Sequence, residues 1–358
     1  MAAAKNARLP NASVPWRLWQ AARGLEGSHI TLPDADLRGK WIVITGGNNG
    51  IGREAALQFA SWGASIVLGC RQPPPHEKHP DITVADCIAA AQAAGHESSK
   101  IEWWSCDMTD LSSVETFAKR WLSTGRTLDI LANNAGIGRT PRGKLTKTKD
   151  GFEIVHQVNF LAHVYLTMNL LPSLALAEDP RIVCTTSCMQ YFGTFNLSNA
   201  NTTAGPSSYS HNKLYFQTWL TELQSQLSST HTMNHVTING IHPGFVKTGI
   251  WIPPHVAAEA KSLNPLDRLL NMLVGVFGVD PQQGSLAIVR AATAKECATT
   301  KMGGEGGGRY FNRIWPAEPM PQTTSPACRQ LIWDFVDREL HLKEKGLLDV
   351  FDSECSIG

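Results

Sequence analysis

Between an apolar run and a helical pattern the chain turns through Thr45-Gly46-Gly47-Asn48-Asn49-Gly50-Ile51-Gly52, and this junction restricts the fold more than any other stretch. Trp41 to Thr45 is short, apolar and rich in β-branched residues, which reads as a buried strand. Ile51 to Trp62 carries apolar residues at helical spacing. Glycines at such a junction permit a tight turn, close approach of main chain to a bound group, and close packing of helix on strand. The helix start also offers free N–H groups and the positive end of its dipole, which suits a phosphate. The spacing is GxxxGxG rather than the commoner GxGxxG, but the physical logic is shared. Placed between strand and helix, the glycines point to a dinucleotide site, with Gly46, Asn48, Asn49, Gly50, Ile51 and Gly52 as its candidate contacts.

The alternation continues along the chain. Ala64 to Leu68, Ile101 to Trp104, Leu128 to Ala132, Arg181 to Thr185 and Val236 to Gly240 read as further strands. Helical patterns separate them at Ile82 to Ala94, Leu111 to Leu122, Gly151 to Leu171 (closed by Pro172) and Tyr209 to Leu227. Repeated strand–helix units imply an α/β fold: a single Rossmann-like, doubly wound parallel sheet with helices on both faces. Residues 36–340 read as that domain, 1–35 as an N-terminal extension and 341–358 as a C-terminal tail. Within the extension Leu18, Trp19, Ala22 and Leu25 share one helical face. A short helix docked on the domain is the simpler reading, and a membrane-surface anchor the sharper one. Gln72 to Pro80 is proline-rich and polar, so it reads as a surface loop.

Composition narrows the function classes. The 358 residues hold 32 basic and 31 acidic side chains, which argues against a dedicated nucleic-acid binder. Eight scattered cysteines without a CxxC pair suggest a reduced, intracellular chain, cytoplasmic in the simplest reading. Met1 to Pro10 lacks the apolar core of a secretory leader, and no apolar run is long enough to span a bilayer. The sequons at Asn11, Asn196 and Asn201 then carry no information. No metal site is expected: His231-x3-His235 lacks the glutamate of HExxH and a third ligand. Cys184 and Cys188 read as packed hydrophobes. Nothing specifies an oligomeric state.

The strand ends carry the chemistry. Arg71 stands after the second strand, where an acidic residue would bind the adenosine ribose. A guanidinium there suits a 2′-phosphate and favours NADP(H). Asp107 ends the third strand, where it could meet the adenine, and Asn133-Asn134-Ala135-Gly136 ends the fourth. Of five tyrosines only Tyr209 has a lysine four residues later, Lys213, on the same helical face. A neighbouring ammonium favours the phenolate and brings a tyrosine towards acid–base work.

On these residues the chain resembles the short-chain dehydrogenase/reductase family over about residues 36 to 340. The matching motifs are Thr45-Gly46-x3-Gly50-x-Gly52, Asp107, Asn133 to Gly136, Asn159, Ser187, Tyr209-x3-Lys213 and Pro243-Gly244. Cys70-Arg71, His156 to His163, His242 to Thr248, and Gly308 to Phe311 with Pro316 to Pro319 are similar to its retinol-dehydrogenase-like branch. Thr186 and Gly47 depart from the usual serine and alanine. The resemblance implies that Tyr209 exchanges a proton with a substrate oxygen held by Ser187. It implies that Lys213 lowers the tyrosine pKa and binds the nicotinamide ribose, and that Asn159 supports a water beside Lys213. Asn133, Ala135, Gly136, Pro243, Gly244, Val246 and Thr248 would line the cofactor with Tyr209 and Lys213. The family covers its substrate with the region equivalent to about 249–284. Here that region is unusually apolar, from Trp251 to Leu270 and Phe277, which implies a lid over a lipophilic carbonyl or alcohol: a steroid, retinoid, terpenoid or polyketide-like compound, as in secondary metabolism. Shallow contact of this region with a lipid surface is the alternative, and a non-catalytic NADP(H)-sensing or interaction module is the alternative function.

Overall fold

The computed structural model describes residues 9–75, 77–138, 144–204, 206–247, 250, 275 and 278–352. Among them an eight-stranded sheet runs in the order β3-β2-β1-β4-β5-β6-β7-β8. The strands are β1 (Trp41–Thr45), β2 (Ser65–Cys70), β3 (Ile101–Ser105), β4 (Ile130–Asn133), β5 (Arg181–Thr185), β6 (Thr237–His242), β7 (Tyr310–Asn312) and β8 (Trp315–Ala317). Neighbours pair in parallel from β3 to β7, whereas β8 returns antiparallel with Pro316 opposite Phe311.

The apolar strands alternate by face. Val43, Val67, Leu131 and Ile182 join one core with the helices α4 (Leu111–Ser123), α6 (Ala162–Leu174), α7 (Pro206–Ser229) and α9 (Pro326–Leu340). Ile42, Ile44, Ile66, Leu68 and Val183 join the other with α2 (Gly50–Ser61), α3 (Pro80–Ala93) and α8 (Pro281–Thr293). A continuous apolar run is therefore a two-sided one, the mark of a parallel sheet buried on both faces.

Two local expectations differ from the structure. The long helix expected at Gly151 to Leu171 starts as a short turn, α5 (Ile154–His156), passes through a π-helical turn at Gln157–Leu161 and continues as α6. Pro172 lies inside α6 instead of closing it. His231 and His235 lie in a turn after α7, and His235 Nε2 meets the Ala175 carbonyl at 3.2 Å. Most of the region expected as a lid, with Trp251 and Leu270, lies outside the described residues. Its end is the start of α8, capped by the Asp280 side chain, which accepts from Gln283 N at 2.8 Å.

Helix α1 (Val14–Arg23) is docked on the domain. Arg17 Nε donates to the Tyr191 carbonyl at 2.5 Å, and Trp16 meets the Tyr191 ring edge-on at 5.7 Å. A Cβ at Gly24 would lie 2.7 Å from Cys188, so only glycine permits this approach. The docked side holds Trp16, Arg17, Gln20 and Ala21. The stripe Leu18, Trp19, Ala22 and Leu25 faces outward.

Candidate active site

The C-terminal ends of β1, β4 and β5 stand side by side in the middle of the sheet. In open α/β sheets ligands bind at this rim. Thr45, the last residue of β1, ties two loops together there. Its hydroxyl accepts from Asn134 N at 2.9 Å and Ala135 N at 3.0 Å, and Asn134 Nδ2 donates to the Thr45 carbonyl at 3.0 Å.

The glycine turn has the shape a phosphate cradle needs. Gly46 sits at φ 66°, and a Cβ there would lie 3.0 Å from the Ala135 Cα. Gly50 sits at φ 53° where α2 begins. A Cβ at Gly47 would come within 2.6 Å of the Leu68 Cδ2 methyl, which would have to turn aside for alanine. Asn49 caps α2 by accepting from Gly50 N at 2.8 Å. Asn48 donates to the Lys78 carbonyl at 3.2 Å and accepts from the Thr83 hydroxyl at 3.3 Å. The bare main chain and the start of a twelve-residue helix fit a dinucleotide pyrophosphate.

Val246 also reaches this turn. It bridges Val279, and a Cβ at Gly284 would lie 2.6 Å from Val246 and 3.0 Å from Ile51. Gly244, after Pro243, sits at φ 89°. Thr248 lies outside the described residues.

Ser187, Tyr209 and Lys213 converge at the end of β5, all three buried. Ser187 hydrogen-bonds the Tyr209 phenol and accepts from Met189 N at 3.1 Å, which caps the short helix Cys188–Phe192. Lys213 Nζ donates to the Thr185 carbonyl at 2.6 Å and lies 5.4 Å from the centre of the Tyr209 ring. Burial pushes the Tyr209 phenol up, with the Ser187 hydrogen bond opposing it, and pushes Lys213 down to about 8. The sequence reading has the ammonium setting the tyrosine. In the structure the largest influence on the phenol is burial, which favours its neutral form.

Asn159 lies on the π-helical turn, a distortion common at functional sites. Its side chain holds Ile137 at two points, accepting from N and donating to O at 2.8 Å each. A Cβ at Gly136 would lie 3.3 Å from Asn159 Oδ1. The Asn133 side chain turns away from the rim: fully buried, it donates to the Thr167 hydroxyl at 2.8 Å. Asp107 caps its own loop, Oδ1 accepting from Thr109 N at 2.8 Å.

Sequence reasoning missed a buried group behind this corner. Glu153 accepts from Val155 N, His156 N and the Ser208 hydroxyl at 3.1, 2.9 and 2.7 Å. Asn212 Oδ1 meets His156 Nδ1 at 2.5 Å, while its Nδ2 donates to the Ser208 carbonyl at 2.8 Å. Burial raises the Glu153 carboxyl and lowers His156 to about 4. The segment carrying Asn159 is thereby bonded to the residues just before Tyr209 and Lys213. Ser208 precedes Tyr209 and Asn212 precedes Lys213 in sequence, but nothing local signals Glu153 as the partner of Ser208 or His156 as that of Asn212.

At the far end of the rim Arg71 is 50% exposed and paired with Glu77 at 2.6 Å. Glu77 belongs to the proline-rich loop expected from the sequence.

A cradle for a dinucleotide beside a buried Ser–Tyr–Lys corner defines an α/β oxidoreductase that works with a nicotinamide cofactor. The sequence profile of the family described as short chain dehydrogenase matches residues 40–254, and the chain belongs to that family. Retinol dehydrogenase 14 of Mus musculus is 29% identical over 343 residues, covering 93% of this chain and 97% of its own length. L-sorbose reductase from Gluconobacter frateurii, solved with NADPH and L-sorbose, superposes with a TM-score of 0.58 at 19% identity, over 79% of this chain and 98% of that one. A short chain dehydrogenase from Mycobacterium paratuberculosis bound to NAD gives 0.56 at 18% identity, over 78% and 98%. At those identities the solved structures speak for the fold alone.

Proposed function

We propose that the chain interconverts a ketone or aldehyde and an alcohol on a lipophilic small molecule, with NADP(H). One observation carries this reading: Ser187, Tyr209 and Lys213 converge, buried, on the rim that also holds the glycine turn. The bound nicotinamide would supply or accept the hydride. Ser187 and Tyr209 share a hydrogen bond that a substrate oxygen would join, so that oxygen is held where the phenol can protonate it. Tyr209, kept neutral by burial, gives that proton in reduction and takes it in oxidation. Lys213, anchored on the Thr185 carbonyl, places its ammonium beside the ring, where it stabilises the phenolate as it forms. Asn159 fixes the Ile137 loop beside them.

Gly46, Asn48, Asn49, Gly50, Ile51 and Gly52 would cradle the pyrophosphate. Asp107 and the main chain of Asn133, Ala135 and Gly136 would line the rim, with Pro243, Gly244, Val246 and Thr248 on its other side. Arg71 supports NADP(H), since a guanidinium suits a phosphate monoester. Likeness to proteins named retinol dehydrogenase supports a retinoid or similarly lipophilic alcohol. Residues 36–340 serve as the catalytic domain in this reading. Peripheral contact with a lipid surface fits such a substrate.

The test is NADPH oxidation by the purified protein with retinoids, steroids and aliphatic aldehydes, beside short polar sugars. Turnover confined to the sugars would overturn the substrate class. Cofactor binding without any turnover would favour a sensor.

A further inference from the structure

We infer that a closed ring of buried hydrogen bonds through Glu153, Ser208, Asn212 and His156 sets the rotation of α7, and with it the place of the Tyr209 phenol and the Lys213 ammonium. These four are then positioning residues for the proton transfer, an inference that rests on the catalytic reading above.

Every bond in the ring has one direction. The Ser208 carbonyl can only accept, so the Asn212 group 2.8 Å from it is the amide Nδ2, which also reaches the Ser208 hydroxyl oxygen at 3.2 Å. That hydroxyl gives its proton to Glu153 Oε2 at 2.7 Å, and the same carboxyl oxygen accepts from His156 N at 2.9 Å. Asn212 Oδ1 is left to accept, so the proton it meets is the one on His156 Nδ1. His156 Nε2 has no hydrogen-bond partner among the described residues. The circuit therefore closes with one imidazole tautomer and one amide orientation. All four residues are 1% exposed or less.

Among the described residues no cation pairs with the Glu153 carboxyl; its partners are Val155 N, His156 N and the Ser208 hydroxyl. Such a buried group is costly unless its donors stay in place. Apolar side chains of similar volume would join two helices at less cost. What the polar ring adds is a single geometry.

Its placement gives that geometry a use. Ser208 and Asn212 form one stripe of α7, and Tyr209 and Lys213, each the next residue, form the neighbouring stripe about 100° round the helix. The other half of the ring opens the segment that leads to Asn159, three residues beyond His156, with its two-point hold on Ile137. The ring thus ties the helix bearing the phenol and ammonium to the opposite side of the corner. Further along α7, Tyr215, Phe216, Trp219 and Leu220 lie in the core, so losing a ring bond should disturb the first turns and spare the fold. A displacement of about 1 Å near reacting atoms can cost about 10² in rate.

The test compares the wild type with Tyr209→Phe, Ser208→Ala, Glu153→Gln and the double variant Ser208→Ala/Glu153→Gln. Steady-state rates are read well below each melting temperature and per folded molecule. Ser208→Ala removes one oxygen, and Glu153→Gln keeps the shape but sets an N–H against a donor. Each should lower kcat at least about tenfold while KM for the cofactor stays within about twofold. The double variant should lose little more than the worse single one, because the groups act as a unit. A purely structural role would lower the melting temperature and leave these rates alone. If Glu153→Gln does not fold, Ser208→Ala decides. A smaller loss of kcat, a loss confined to KM, or losses that multiply in the double variant would overturn the inference, while a defective Tyr209→Phe leaves the catalytic reading standing. Undiminished turnover in Tyr209→Phe, or none in the wild type, would overturn both.

Discussion

At the Tyr209 end of the rim, Lys213 is held by the Thr185 carbonyl, Tyr209 by Ser187, and the helix beneath them by the buried Glu153, Ser208, Asn212 and His156. At the Arg71 end, one half-exposed guanidinium meets one carboxylate on a proline-rich loop. The first region is fixed by groups that water does not reach, where an unmet bond is costly. The second rests on a surface ion pair, which contributes little and yields easily to a better partner. In the proposed reading, chemistry that needs position is built from the interior, and selection between two similar cofactors would fall to adjustable charge.

The contrast breaks most visibly at the phenol. Tyr209→Phe should keep the fold and cofactor binding yet lower kcat by at least about 10²-fold, the low end for general acid catalysis. Steady-state rates and a cofactor titration check this, and near wild-type kcat would remove Tyr209 from the reaction. At the soft end, Arg71→Ala should raise KM for NADPH about tenfold, roughly 1.4 kcal/mol, while KM for NADH changes little. Equal use of both cofactors by the wild type would refute the assignment of Arg71.

Smaller effects sharpen the comparison. If Arg71 takes a 2′-phosphate as proposed, Glu77 would compete for it, so Glu77→Gln should lower KM for NADPH two- to threefold, by about 0.5 kcal/mol. An unchanged NADPH to NADH ratio would show that the pair has no part in selection. The rigid end should respond to acid. Burial holds His156 and His242 at about 4 and His163 at about 3. The unfolded chain takes up these protons near pH 6.5, before the folded chain does. Stability is therefore full above about pH 6.5 and falls as pH drops towards 4. Melting temperature measured from pH 7.5 to 5 should decline, and a flat profile would contradict the buried neutral imidazoles.

Periodicity made the strands and most helices legible, because each strand buries both faces and each helix follows a turn. The glycine turn and the Tyr209–Lys213 pair were legible for a related reason: their chemistry depends on neighbours within a few residues. What escaped depends on distant partners. The Asn133 side chain points to Thr167 because β4 packs on α6, which no local pattern states. The π-helical turn opens a helix buried along most of its length, and Pro172 stands near the end of that helix at an exposed position. The outward stripe of α1 was visible as a stripe, but its direction was settled by Gly24 against Cys188 and Arg17 on Tyr191.

Strand β8 has a consequence for the protein's behaviour at high concentration. A parallel sheet that ended at β7 would offer a ladder of main-chain donors and acceptors to any extended segment nearby. The short return through Trp315-Pro316-Ala317 covers that ladder, and Pro316 has no N–H to give to a newcomer. That margin of the sheet is thus protected against strand addition and the aggregation that follows from it. Replacing Pro316 with threonine would restore the missing donor and remove part of that protection.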